Sequence, residues 1–232
     1  AVVIGVAGFM APRLMGRDIS LAASAGPEQA RRIRRRRLWL HSLAAAGLLA
    51  SFLVEGIGQA RLAYVLRALI VTAELAWMAQ PHRLPRATEL YARLIWVSLW
   101  MVLLGFWGAA LWPRYRIALL HLVFLGGFSL LVFAVATMVV FSHAGDGERL
   151  RRPLLGLRVM AVGVLTAMIA RVAADLAPVL YFPLLASASV AWLIAALAWL
   201  AMILPQVVRA APEGEFERAH EVAKRRLRVA PA

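Results

Sequence analysis

The sequence predicts an all-α protein, a polytopic transmembrane helix bundle of six complete spans preceded by a partial one. Three observations carry that reading. Hydrophobic residues make up 62% of the chain and mean hydropathy is +0.75, where soluble domains run at roughly 45–50% apolar. Apolar runs recur that are long enough, at about 18 residues or more, to cross a hydrocarbon core of about 30 Å as helices. None of them alternates polar with apolar as a barrel strand would, and backbone groups in lipid leave only helices or closed barrels.

Residues 1–12, "AVVIGVAGFMAP", start inside an apolar run at Ala1 with no basic leader before it. They read as a helix already in progress, in a chain expected to be the later part of a longer protein. Complete spans follow at 38–56, 62–80, 92–112, 117–142, 154–177 and 183–204, with 205–232 as a charged tail. Arginines concentrate in the loops between the runs, and the prolines lie at span ends rather than mid-span.

The loop charges set the orientation. "RRIRRRR" precedes the first complete span, Arg83 and Arg86 lie in the loop at 81–87, and Arg149, Arg151 and Arg152 lie in the loop at 143–153. With the tail, that side holds 17 basic residues, against Arg61, Arg114 and Arg116, three in all, on the other. The positive-inside rule then places those loops and the C-terminus in the cytoplasm of a bacterial inner membrane. Trp112, Tyr115, Tyr181 and Phe182 fall at the outer boundary, where aromatic belts sit. "RRIRRRR" can attract anionic lipid, although a topology anchor is the plainer account.

The net charge of +14 would suggest nucleic acid in a soluble protein. Here it lies in loops, and no basic stretch belongs to a reading motif, so nucleic acid is not an expected partner; the lipid bilayer is. These 232 residues contain no cysteine, which excludes disulfides, thiolate metal sites, iron–sulfur clusters and the attachment of a c-type haem within them.

One run, "HLVFLGGFSLLVFAVATMVVFSHAG", has a histidine at each end, His121 and His143. As an α-helix it separates them by about 33 Å and by only about 40° around the axis. They share a face, lie at opposite membrane surfaces and cannot ligate one metal. His41 and His82 are at the depth of His143 and can converge on it; His121 has no histidine companion at its own depth. Gly127, Ala134 and Thr137 form a stripe of small residues suited to close helix packing.

This helix resembles the signature helix of the NnrS family, bacterial inner-membrane proteins of about twelve spans. The family's helix begins with a histidine, has a glycine five residues on and ends in a Gly-His-Thr-Gly-Arg-type motif. His121, Gly126 and His143-Ala144-Gly145 occupy those places. Ser142, Ala144, Asp146 and Met138 depart from the pattern, and the family's His-x-His-Glu-Met motif is absent from these residues. The resemblance covers the last three or so spans, and the rest by hydropathy. It implies b-type haem and copper, and a part in handling or sensing nitric oxide or other nitrogen oxides. It implies further transmembrane helices, from a longer chain or another subunit, as a source of missing ligands. His121 and His143 are the first metal-ligating candidates, followed by His41.

Charged residues inside spans are costly and tend to face a bundle interior. Arg67 and Glu74 are too far apart on one helix for a tight pair, so each is expected to meet another helix, a cofactor propionate or water. Arg171 and Asp175 are placed for an i,i+4 ion pair, and Arg171 alternatively for a haem propionate. Met138 reads as core filler, and Asp146 and Glu148 as a solvated loop. Two other function classes stay open: half of a secondary transporter, with Glu74, Arg67 and the Arg171–Asp175 pair along its route, or a structural subunit of a membrane complex. Binding and turnover are not separated by these residues.

Overall fold

A computed structural model describes residues 27–85 and 87–208. The partial span at 1–12 and the tail from 209 onward lie outside the described residues. Among the described residues, seven α-helices run α1 Pro27–Gly56, α2 Ala60–Met78, α3 Leu90–Leu111, α4 Arg116–His121, α5 Leu130–His143, α6 Leu155–Leu176 and α7 Tyr181–Val208. Short 3₁₀ turns at Pro113–Tyr115, Gly147–Arg151 and Pro178–Leu180 enter or join them, and no strand occurs among the described residues.

Among the described residues, five helices are long and apolar enough to cross a membrane: Leu38–Gly56, Leu90–Leu111, Pro113–His143, Leu155–Leu176 and Pro178–Val208. α2, expected as a span at 62–80, is 19 residues long but carries Arg61, Arg67 and Glu74 in that length. The last helix continues four residues past the expected end at 204, running through Pro205 to Val208. The "RRIRRRR" block belongs to α1 rather than to a preceding loop, so the first helix extends well beyond its apolar part.

The helices pack mainly on their sequence neighbours. α1 packs on α2 and α2 on α3; α3 in turn meets α4, α5 and the stretch between them. α6 lies against that same stretch, and the α6–α7 contact is the most extensive in the fold. The core runs along α3, with Ile95 and Leu99 against Leu130, Met160 and Val164 from the later helices. Small residues permit the close crossings, as lipid gives helices no hydrophobic reason to associate. A Cβ on Gly163 of α6 would lie 2.8 Å from both the carbonyl of Ala191 and the Cβ of Ala195 in α7. The stripe of Gly127, Ala134 and Thr137 is buried as packing predicts, and Thr137 accepts a 2.9 Å hydrogen bond from Trp199 Nε1.

The histidine-tipped segment is not the continuous α-helix that the sequence suggested. Between α4 and α5, Leu122–Ser129 is π-helical. Its hydrogen bonds reach five residues back, and the Ser129 hydroxyl likewise donates to the carbonyl of Phe124, at 3.1 Å. Gly126 and Gly127 lie inside it; a Cβ on Gly127 would meet Val102 of α3 at 2.5 Å. Wide turns advance by a smaller angle per residue than α turns, so the shared face inferred for His121 and His143 does not hold. Such segments tend to accompany functional sites, and His121 immediately precedes this one.

Candidate functional site

His121 closes α4, and the π-helical stretch that begins after it sets the direction of its side chain. Its Nδ1 is 2.7 Å from the carbonyl of Ile117. A carbonyl can only accept, so this contact takes a proton on Nδ1, and in the neutral ring Nε2 then carries the lone pair. Metal-bound histidines are commonly oriented in this way, by a backbone acceptor on the other nitrogen.

The ring lines an open groove of about 450 Å³ formed with α6 and α7. Arg171 of α6 lines the same groove, and Leu125, Leu185, Trp192 and Leu193 provide apolar walls. Arg171 Nη1 donates to Asp175 Oδ1 at 2.6 Å, the i,i+4 pair expected from the sequence. Its guanidinium carbon also sits 5.6 Å from the Tyr181 ring centroid. Asp175 Oδ2 is buried with no hydrogen-bond partner. The groove therefore joins an imidazole, a guanidinium fork and a greasy wall, drawn from α4, the π-helical stretch, α6 and α7.

His143 is at the far end of the same span, exposed, with Nδ1 2.8 Å from the carbonyl of Val139. It shares no groove with His121. The expected convergence of His41, His82 and His143 is not observed. Among the described residues no group of three His, Asp or Glu side chains is close enough to hold a metal ion. Asp146 instead pairs with Arg149 at 3.2 Å, and Met138 packs beside Phe141, Leu150 and Ile203.

His41 and Arg67 belong to a different assembly, the seam between α1 and α2. His41 Nδ1 pairs with Glu74 Oε1, the carboxylate being 7% exposed and the imidazole 33%. Arg67 Nη2 meets Glu55 Oε2 at 2.6 Å, and its Nε donates to Ser51 Oγ at 2.9 Å. Phe52 and Tyr64 flank the guanidinium, with ring centroids 3.9 and 4.9 Å from its central carbon. Arg67 and Glu74 of α2 thus both meet α1, as expected for groups that must find another helix. Their partners Glu55 and Ser51 went unnoticed in the sequence, although a lone carboxylate near the end of an apolar run was a readable signal.

The family model described as NnrS protein matches residues 1–210 of the chain. No curated protein and no solved structure matches it.

Proposed function

The chain belongs to the NnrS family, and from that membership we propose that it is an inner-membrane protein that holds b-type haem through His121 and serves in the handling or sensing of nitrogen oxides. The observation that carries this reading is the meeting of His121 and Arg171 in one groove, with His121 Nδ1 engaged and Nε2 available. Haem needs an axial donor, apolar walls for the macrocycle and a cation near its propionates. His121, Leu125, Trp192, Leu193 and Arg171 fit those needs. Asp175 already engages one nitrogen of Arg171, leaving the other guanidinium N–H groups for an anionic group. His121 and Arg171 would hold a haem in this groove, and the group would supply iron chemistry toward diatomic ligands such as nitric oxide.

Copper is the less supported half of the expectation, because the ligands at hand are single histidines at opposite ends of one span. His143 is its remaining candidate ligand in this chain, with other donors coming from further helices. Such helices, in a longer chain or in another subunit, would also cover α1, whose apolar part Leu38–Gly56 is only 6% buried.

We further propose that α2 is the sixth span. Its Arg67 is paired with Glu55 and its Glu74 contacts His41 of α1, which lowers the cost of carrying these polar groups through lipid. The charge bias of the loops orients the C-terminus toward the cytoplasm. The same pairs explain Arg67 and Glu74 as a staple between two helices, so a transport route is not needed to account for them.

The test is a spectrum. Protein purified in detergent from haem-replete cells is expected to show a Soret band and a pyridine haemochrome of the b type, and nitric oxide should shift the Soret band of the reduced form. A colourless preparation contradicts the reading.

A further inference from the structure

A second groove, of about 420 Å³, lies between α2 and α3, beside the loop that joins them. We propose that it binds a lipid-soluble quinone, with His82 as hydrogen-bond partner to a ring carbonyl. The inference does not rest on haem at His121.

The groove walls are indole surfaces held in fixed orientation. Trp107 Nε1 donates to Thr72 Oγ1 at 2.9 Å, and Trp100 Nε1 donates to the carbonyl of Pro81 at 3.1 Å. With those N–H groups engaged, Trp100 and Trp107 present rings alone to the cavity. Thr72 has no donor left either, as its hydroxyl binds the carbonyl of Ala68 at 2.6 Å. His82 is different: it lines the groove and has no hydrogen bond to any described residue. The cavity therefore has a flat, electron-rich apolar body and one polar group whose hydrogen-bonding capacity no described residue takes up.

The loop that presents His82 is strained and pinned. Gln80 has φ +48°, a left-handed conformation uncommon for a residue with a side chain. Its Oε1 is buried with no hydrogen-bond partner. Pro81 O accepts a second indole N–H, from Trp96 at 2.7 Å, so two tryptophans of α3 hold the loop against it. Backbone strain persists only where the surroundings over-determine it, and it concentrates at ligand sites.

Leu104, which lines the groove from within a membrane-spanning helix, is 51% exposed, so a ligand enters from the hydrocarbon phase. It must be lipophilic, planar enough to lie on indoles, and polar at the end nearest His82. A quinone ring is flat and electron-poor, which suits stacking on the negative faces of indoles. A phospholipid acyl chain is the competing occupant. It gains little from ring faces, and its charged phosphate has no counterpart in the apolar groove lining.

The full chain in nanodiscs of defined phospholipid without quinone is titrated with decylubiquinone, read by quenching of indole fluorescence. Saturable quenching is expected, with at least tenfold weaker affinity in His82→Ala and Trp100→Leu and near-native affinity in His82→Gln, which keeps an N–H donor. A photoreactive azidoquinone should label the wild-type chain within 72–107, which gives a readout if the variants fail to fold. His121→Ala should bind the quinone as the wild type does, which separates this test from the haem reading. Non-saturable quenching, unchanged affinity in a folded His82→Ala, labelling elsewhere, or a groove from which quinone cannot displace phospholipid would each overturn the proposal.

Discussion

Replacing His121 with alanine is expected to abolish the Soret band of the purified protein, whereas His143→Ala leaves it in place. The two histidines look alike in sequence and have similar local bonds, each with Nδ1 on the carbonyl four residues back. Their surroundings differ. His121 faces a groove with Arg171 and apolar walls, while His143 is exposed at the end of α5. Loss of an axial ligand removes the bond that holds the iron, so haem occupancy should fall by more than the roughly 10–100-fold typical of outer-shell changes. The measurement is haem per protein by pyridine haemochrome, with the unfolding midpoint showing that both variants fold. Equal loss in both variants would mean that the groove does not choose between them.

Glu55→Leu is expected to destabilise the protein by roughly 3–5 kcal/mol, and by more than Arg67→Leu does. The asymmetry follows from burial. Arg67 is 5% exposed and cannot reach water once its carboxylate is gone, whereas Glu55 is 31% exposed and can be solvated when the arginine is removed. The Glu55 end therefore deserves a discount for screening that the Arg67 end does not. Ser51 and the Phe52 and Tyr64 rings would remain around the orphaned guanidinium, which softens its cost without neutralising its charge. The double variant Glu55→Leu/Arg67→Leu should recover most of the loss, since a buried pair is often replaceable by apolar side chains. Unfolding of the four proteins in mixed detergent checks all three statements, and equal effects of the single variants would contradict the burial argument.

The apolar runs made most of the fold legible, because each span must satisfy its own backbone and is bounded by charge or proline. Which helix meets which charge was not legible. Arg67 finds Glu55 across a tight turn and Glu74 finds His41 much further along α1, pairings that depend on how two helices are rotated against each other. The π-helical stretch was hidden for a related reason. Gly126-Gly127 permits it, but a pair of glycines in an apolar run fits an α-helix equally well, and a calculation of shared faces then assumes regular turns. The separation of His121 from His143 survived because it depends on span length alone. The alliance of His121 with Arg171 required α6 to pack beside α4 and the π-helical stretch, a long-range contact that no local pattern encodes.

Replacement of the His121 side chain by an external ligand tests most directly whether that imidazole would hold the haem. His121→Gly protein, purified and supplied with haem, is titrated with free imidazole and followed in the Soret region. The predicted result is a weak or absent band that grows saturably as imidazole fills the space left by the side chain, with no comparable gain in His143→Gly. A His121→Gly spectrum that matches the wild type without imidazole would contradict it.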